Sequence, residues 1–105
     1  MPDTVLTVGE RYRLRVIHTV PDWTVRIALK RGDSTVHWRS LAKDGAELPA
    51  HLRTTRLASL VAGPGETMDF EYRPTTPGLM RLDVTQRTGE WTTHLPIKVE
   101  ARQSR

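Results

Sequence analysis

Two short runs near the middle of the chain alternate apolar and polar residues with a strict period of two, a pattern that suits a half-buried strand and not a helix. In Thr67 to Tyr72, the side chains of Met68, Phe70 and Tyr72 fall on one face and those of Thr67, Asp69 and Glu71 on the other. From Leu79 to Val84, Met80, Leu82 and Val84 oppose Leu79, Arg81 and Asp83. Gly63-Pro64-Gly65 precedes the first run, and Pro74-Thr75-Thr76-Pro77-Gly78 separates the two. Pro77 presets its own φ and Gly78 takes φ > 0 without a Cβ clash, so the pair suits the centre of a type II turn and the segment predicts a β-hairpin. One face of this hairpin is expected in the core. Asp69 and Glu71 then form an outward carboxylate pair, matched to an arginine of the next strand, Arg81.

The same period recurs along most of the chain. Thr4 to Val8 is a β-prone run closed by Gly9, and Tyr12, Leu14 and Val16 then alternate with Arg11, Arg13 and Arg15. Trp23, Val25, Ile27 and Leu29 alternate with Thr24, Arg26, Ala28 and Lys30, and Arg31-Gly32-Asp33-Ser34 supplies a turn. Val36, Trp38 and Ser40 share a face of a strand running out at Leu41-Ala42, before a second turn signal at Lys43-Asp44-Gly45. Leu48 before Pro49 is kept extended, and Thr54 to Val61 is a further extended segment. Trp91, Thr93, Leu95, Ile97 and Val99 form the last strand, where Pro96 needs an edge or bulge position because it has no N–H to give. About seven or eight short strands with regular turn signals, and no convincing helix, predict a single all-β domain over residues 1–105, an antiparallel β-sandwich or flattened barrel.

Composition narrows the chemistry. The chain has no cysteine, which excludes disulfides, thiolate nucleophiles, CxxC zinc sites and the His-Cys-His set of a blue-copper centre. No run approaches the roughly 20 apolar residues of a membrane helix, and Met1-Pro2-Asp3 lacks the charged-then-apolar pattern of a secretory signal. The net charge of +4 comes from 16 Lys+Arg against 12 Asp+Glu, interleaved along strands. Six aromatics, mostly placed as core, leave no stacking platform for nucleic acid. Trp23, Trp38 and Trp91 are expected mainly as core, and Ser34, Ser40 and Ser59 stand in no nucleophile elbow. The only borderline-soft metal ligands are His18, His37, His51 and His94, widely separated and convergent only if strand ends meet, with His37 expected to face outward beside the inward Trp38.

The order of the motifs resembles that of a multicopper oxidase domain. The segments Gly9-Glu10-Arg11-Tyr12-Arg13-Leu14-Arg15-Val16-Ile17, Trp38-Arg39-Ser40-Leu41-Ala42-Lys43-Asp44-Gly45, Leu48-Pro49, Pro64-Gly65-Glu66-Thr67-Met68-Asp69-Phe70 and Pro77-Gly78-Leu79-Met80-Arg81-Leu82 follow one another in that family's order. The resemblance implies a cupredoxin-like Greek-key sandwich corresponding to the second, copper-free plastocyanin-like domain. In that family copper is held by His-x-His pairs and a His-Cys-His set, and neither occurs here, so no catalytic or cofactor-binding residue carries over. Copper is then expected in the parent family and not in this chain.

The leading functional expectation is a non-catalytic structural and assembly module, with flanking cupredoxin domains or further copies of itself as partners and neither nucleic acid nor membrane. The resemblance places the parent protein in the periplasm or outside the cell. Two alternatives follow from the same residues: a small excised or redesigned scaffold with a histidine copper site and oxidase-like activity, and an immunoglobulin-like binding domain.

Overall fold

The computed structural model describes residues 4–17, 24–86 and 92–102. Alternating segments form strands throughout: β1 (Thr4–Thr7), β2 (Tyr12–Ile17), β3 (Val25–Arg31), β4 (Ser34–Thr35), β5 (His37–Lys43), β6 (Ala46–Glu47), β7 (Thr55–Leu57), β8 (Ser59–Ala62), β9 (Thr67–Tyr72), β10 (Gly78–Gln86) and β11 (Thr92–Glu100). The one helical turn among the described residues is a 3-10 turn at Ala50–Leu52. The described residues thus hold eleven strand segments, more than the seven or eight expected, because two extended stretches each divide between the two sheets and the short β6 follows the turn after β5.

The first sheet has the order β1-β11-β10-β3-β4, with β8 also on β3; the second has β2-β9-β5-β6, with β7 also on β5. All pairs are antiparallel except β1 with β11, which run parallel. The segments β4 and β8 share one flank of β3 end to end, and β6 and β7 share one flank of β5. The chain crosses between sheets at Val36, from β4 to β5, and again at Ala58, from β7 to β8. Both crossings lie at one corner: Ala58 N donates to Val36 O (2.7 Å), Val36 N to Leu29 O (3.1 Å) and Leu29 N to Ala58 O (2.9 Å). Ala58 is completely buried, so this corner admits only a small side chain.

Between the sheets lies the core. Leu6, Ile27, Leu29, Met80 and Val99 of the first sheet belong to one apolar cluster with Trp38, Met68, Phe70 and Tyr72 of the second. Burying each such side chain contributes about 1.5–3 kcal/mol. Trp38 stacks on Phe70 with ring centroids 4.0 Å apart and an 11° interplanar angle. The core role expected for Trp38 is therefore observed; Trp23 and Trp91 lie outside the described residues.

The predicted hairpin does not form. β9 pairs with β2 and β5 in one sheet, and β10 pairs with β11 and β3 in the other, so residues 73–77 are a crossing and not a tight reversal. The buried Pro74 accepts a bond from Gly9 N at 2.9 Å, and Arg31 donates to the carbonyls of Thr76 and Pro77. Gly78 begins β10 with φ 136°. The inward faces were nevertheless assigned correctly, because two sheets facing each other present the same alternation as the two arms of a hairpin; across the sandwich Tyr72 Oη donates to Met80 Sδ at 3.4 Å. Asp44 (φ 51°) and Gly45 (φ 83°) do form the expected tight turn between β5 and β6, with both residues left-handed. Pro96 faces Arg81 on β10, within the nine-residue β11 that lies between β10 and β1.

Candidate functional site

The outward face of the second sheet carries the densest polar array among the described residues. The register brings Arg13 on β2 opposite Glu71 on β9, and Glu71 opposite Arg39 on β5; one step along, Arg15 faces Asp69. Arg13 Nε donates to Asp69 Oδ2 at 2.7 Å, while Arg15 donates from Nε to Oδ1 and from Nη2 to Oδ2, both at 3.1 Å. Two guanidiniums thus close over one carboxylate. Only 6% of the Asp69 side chain remains exposed, although period-two patterning placed it in water. The partner expected for it, Arg81, sits on the other sheet and pairs with Asp83 (3.0 Å), because β9 and β10 are not neighbours. The Arg-x-Arg spacing of β2 opposite a same-face carboxylate was the sequence signal for the true pairing.

The array extends toward β6. Arg13 Nη2 donates to Glu47 Oε1 at 2.5 Å, and the other oxygen of Glu47 lies 3.6 Å from Arg53 Nη2. Arg53 Nε is fixed on Leu48 O at 2.7 Å, and Arg39 Nε donates to Arg53 O at 3.0 Å. Between these groups lies a depression of about 380 Å³, lined by Arg13, Arg15, Ile17, Ala42, Glu47 and Asp69 among others.

The Arg15 guanidinium holds the Asp69 carboxyl below the usual carboxylate range; burial opposes this and Arg13 reinforces it. Asp69 is therefore ionised and has no proton to give at neutral pH, which suits an electrostatic anchor and not a general acid. Nearby, Glu66 accepts from Lys43 Nζ (2.6 Å) and Gly63 N (2.7 Å), and both bonds lower its pKa. Asp44 accepts from Thr67 N at 3.1 Å and from Lys43, with the same consequence. The Pro-Gly-Glu segment thus closes its own turn and ties β9 to the β5–β6 turn.

The three described histidines have no common position. His37 is exposed on β5 of the second sheet, as expected, His51 lies in the 3-10 turn, and His94 is on β11 of the first sheet, where Nδ1 meets Asp83 Oδ1 at 2.6 Å. His18 lies outside the described residues. Among the described residues no group of three or more His, Cys, Asp or Glu side chains could hold a metal ion. The chain also has no cysteine, so it cannot supply the thiolate of a blue-copper centre. Asp83 is raised by burial, but the His94 and Arg81 bonds outweigh that and its pKa is lowered overall.

No protein-family model matches the chain, and no curated protein matches it. Solved structures do match its fold. The McoA multicopper oxidase of the hyperthermophile Aquifex aeolicus superposes with a TM-score of 0.75 at 15% identity, over 95% of this chain and 23% of that one. The multicopper oxidase of Pediococcus acidilactici gives 0.71 at 14% identity, over 98% and 22%. Blue Copper Oxidase from Nitrosomonas europaea gives 0.62 at 20% identity, over 93% and 30%. The chain spans between about a fifth and a third of the length of these proteins, and its fold is the cupredoxin-like Greek-key sandwich of a multicopper oxidase domain.

Proposed function

We propose that this chain is a copper-free, non-catalytic cupredoxin-like domain, residues 1–105 forming one unit, that spaces and orients neighbouring cupredoxin domains in a multicopper oxidase-type protein. The observation that carries this reading is the asymmetry of the structural match: at least 93% of the chain superposes on oxidases of which it represents 22–30%. A body of this kind needs surfaces for its neighbours. Val5 and Leu79, both facing Lys98 in the register of the first sheet, are exposed apolar side chains, as are Ile17 and Leu57 on the second. Exposed apolar side chains of this kind are what a protein interface covers. Further copies of the chain are the other partner of the same chemistry. A periplasmic or secreted setting follows the parent family, and no helix among the described residues is long and apolar enough to cross a membrane.

The donor set supports a role without copper, and this can be tested directly. Copper(II) titrated into the purified chain is expected to give no saturable heat at micromolar metal, no intense blue colour and no phenol oxidation. Blue colour or turnover would overturn the reading. Sedimentation of the isolated chain tests the second partner: a concentration-dependent dimer abolished by Leu79→Ser would show that copies of the chain cover that patch.

A further inference from the structure

The outward face of the first sheet holds a second depression, of about 260 Å³, which the assembly reading does not use. The strand register lays out its lining as a grid. Along β3, Arg26, Ala28 and Lys30 take successive outward positions, opposite in sense to the buried Val25, Ile27 and Leu29. Across the sheet, Ala28 stands between Ser59 on β8 and Asp83 on β10, Thr35 on β4 faces Lys30, and Thr85 on β10 faces Arg26. All of these outward residues line the depression. Its middle position therefore carries only a methyl group, while two long cationic side chains stand at either end, their Cα atoms roughly 13 Å apart at the rise of a strand.

Charge separates this depression from the one on the second sheet. Its single carboxylate is already held: Asp83 meets Arg81 Nε at 3.0 Å and His94 Nδ1 at 2.6 Å, and its side chain is only 15% exposed. Arg26 and Lys30 form no ion pair with the described residues. The lining thus keeps one net positive charge, and the charge of Arg81 lies beside it. The hydroxyls of Thr35, Ser59 and Thr85 add an O–H donor each. Two cations with several hydroxyls suit an acceptor with many oxygens and more than one charge. A carboxylate brings two oxygens and one charge; a phosphate monoester brings three terminal oxygens and nearly two charges at neutral pH. We propose that this depression binds the phosphate group of a small phosphorylated molecule above Ala28, with Arg26 and Lys30 donating from its two ends and the hydroxyls completing the contacts. Charge-assisted N–H···O bonds supply the attraction.

The test is a titration of the isotope-labelled full chain with glycerol 1-phosphate, and in parallel with acetate, followed by proton–nitrogen NMR at neutral pH and constant ionic strength. Saturable shifts of the Ala28 and Ser59 amide signals are expected, with half-saturation by glycerol 1-phosphate at about 1–10 mM. Acetate should bind at least about fivefold more weakly, having fewer oxygens and less charge. Arg26→Gln and Lys30→Gln should each weaken binding at least about threefold, and Ala28→Leu, which fills the middle of the grid, should abolish it. Arg15→Gln on the opposite sheet should change nothing. Linear, unsaturated shifts up to about 50 mM would overturn the site, as would a folded Ala28→Leu variant that binds like the parent chain. Equal binding of acetate would overturn the assignment to phosphate. If Ala28→Leu loses the dispersed spectrum of the folded chain, the double variant Arg26→Gln, Lys30→Gln decides: unchanged half-saturation would reject the site. Vesicles containing phosphatidic acid should not carry the chain down on centrifugation; co-sedimentation lost in Lys30→Gln would overturn the small-molecule assignment in favour of a lipid headgroup.

Discussion

Replacing Ala58 by leucine tests the corner where the chain crosses twice between the sheets. Ala58 has no exposed surface, its N–H donates to Val36 O and its carbonyl accepts from Leu29 N. Forcing three further carbons into a filled core costs about 1–3 kcal/mol. The two backbone bonds on either side are each worth about 0.5–1.5 kcal/mol net. With one of them strained, the loss should be about 3 kcal/mol, a large part of the 5–15 kcal/mol that stabilises a typical domain. For a chain of this length that corresponds to a melting temperature lower by roughly 10–20 °C. Urea unfolding followed by tryptophan fluorescence, to which the stacked Trp38 contributes, measures it, with Ala58→Gly as a companion expected to lose only about 1–2 kcal/mol. If Ala58→Leu unfolded within about 0.5 kcal/mol of the parent, the double crossing would not be the close-packed corner described above.

Three other outcomes follow from the geometry. The carboxyls of Asp44, Glu66, Asp69 and Asp83 all sit below their ordinary values. Their contribution to stability is therefore complete above about pH 4.3 and disappears as the pH falls through the folded-state values. Denaturation midpoints measured from neutral pH downward should drop on acidification, and less in Asp69→Asn; a flat profile would refute the clamp. Gly78→Ala should destabilise by about 1–3 kcal/mol, because φ is 136° and the new Cβ would lie 3.0 Å from Arg31 Nη1; thermal melting reads this directly. Val61→Ser, on an exposed position of β8, should stay within about 0.5 kcal/mol in the same assay.

Which side of β2, β3, β9 and β10 faces inward was legible in the sequence, but which strand lies beside each was not. Met68, Phe70 and Tyr72 are inward in either a hairpin or a crossing, so alternation alone does not separate the two topologies. What decides is remote in sequence: Gly9 N on Pro74 O, and Arg31 on the carbonyls of Thr76 and Pro77. The same gap hid the site. Asp69 and Glu71 share one outward face, as the alternation predicts, but a hairpin would make β10 the neighbour of β9 and match Asp69 to Arg81, whereas β2 and β5 flank β9. Once β2 lies beside β9 instead, Arg13 and Arg15 cover Asp69, and a carboxylate on the outer face becomes a buried one. The Asp44-Gly45 turn needed no such context, since its two left-handed residues are a local demand that Asp-Gly meets by itself.

The parallel pairing of β1 with β11 has a mechanical consequence. Thr4 lies beside Ile97 and Thr7 beside Glu100, so tension applied through the two ends of the chain pulls these strands in opposite directions along their length. The rungs between them would be loaded together in shear, with no single rung peeling ahead of the rest. A unit strung between larger bodies in this way would yield abruptly at high force, and stretching single molecules end to end would display that as one sharp rupture.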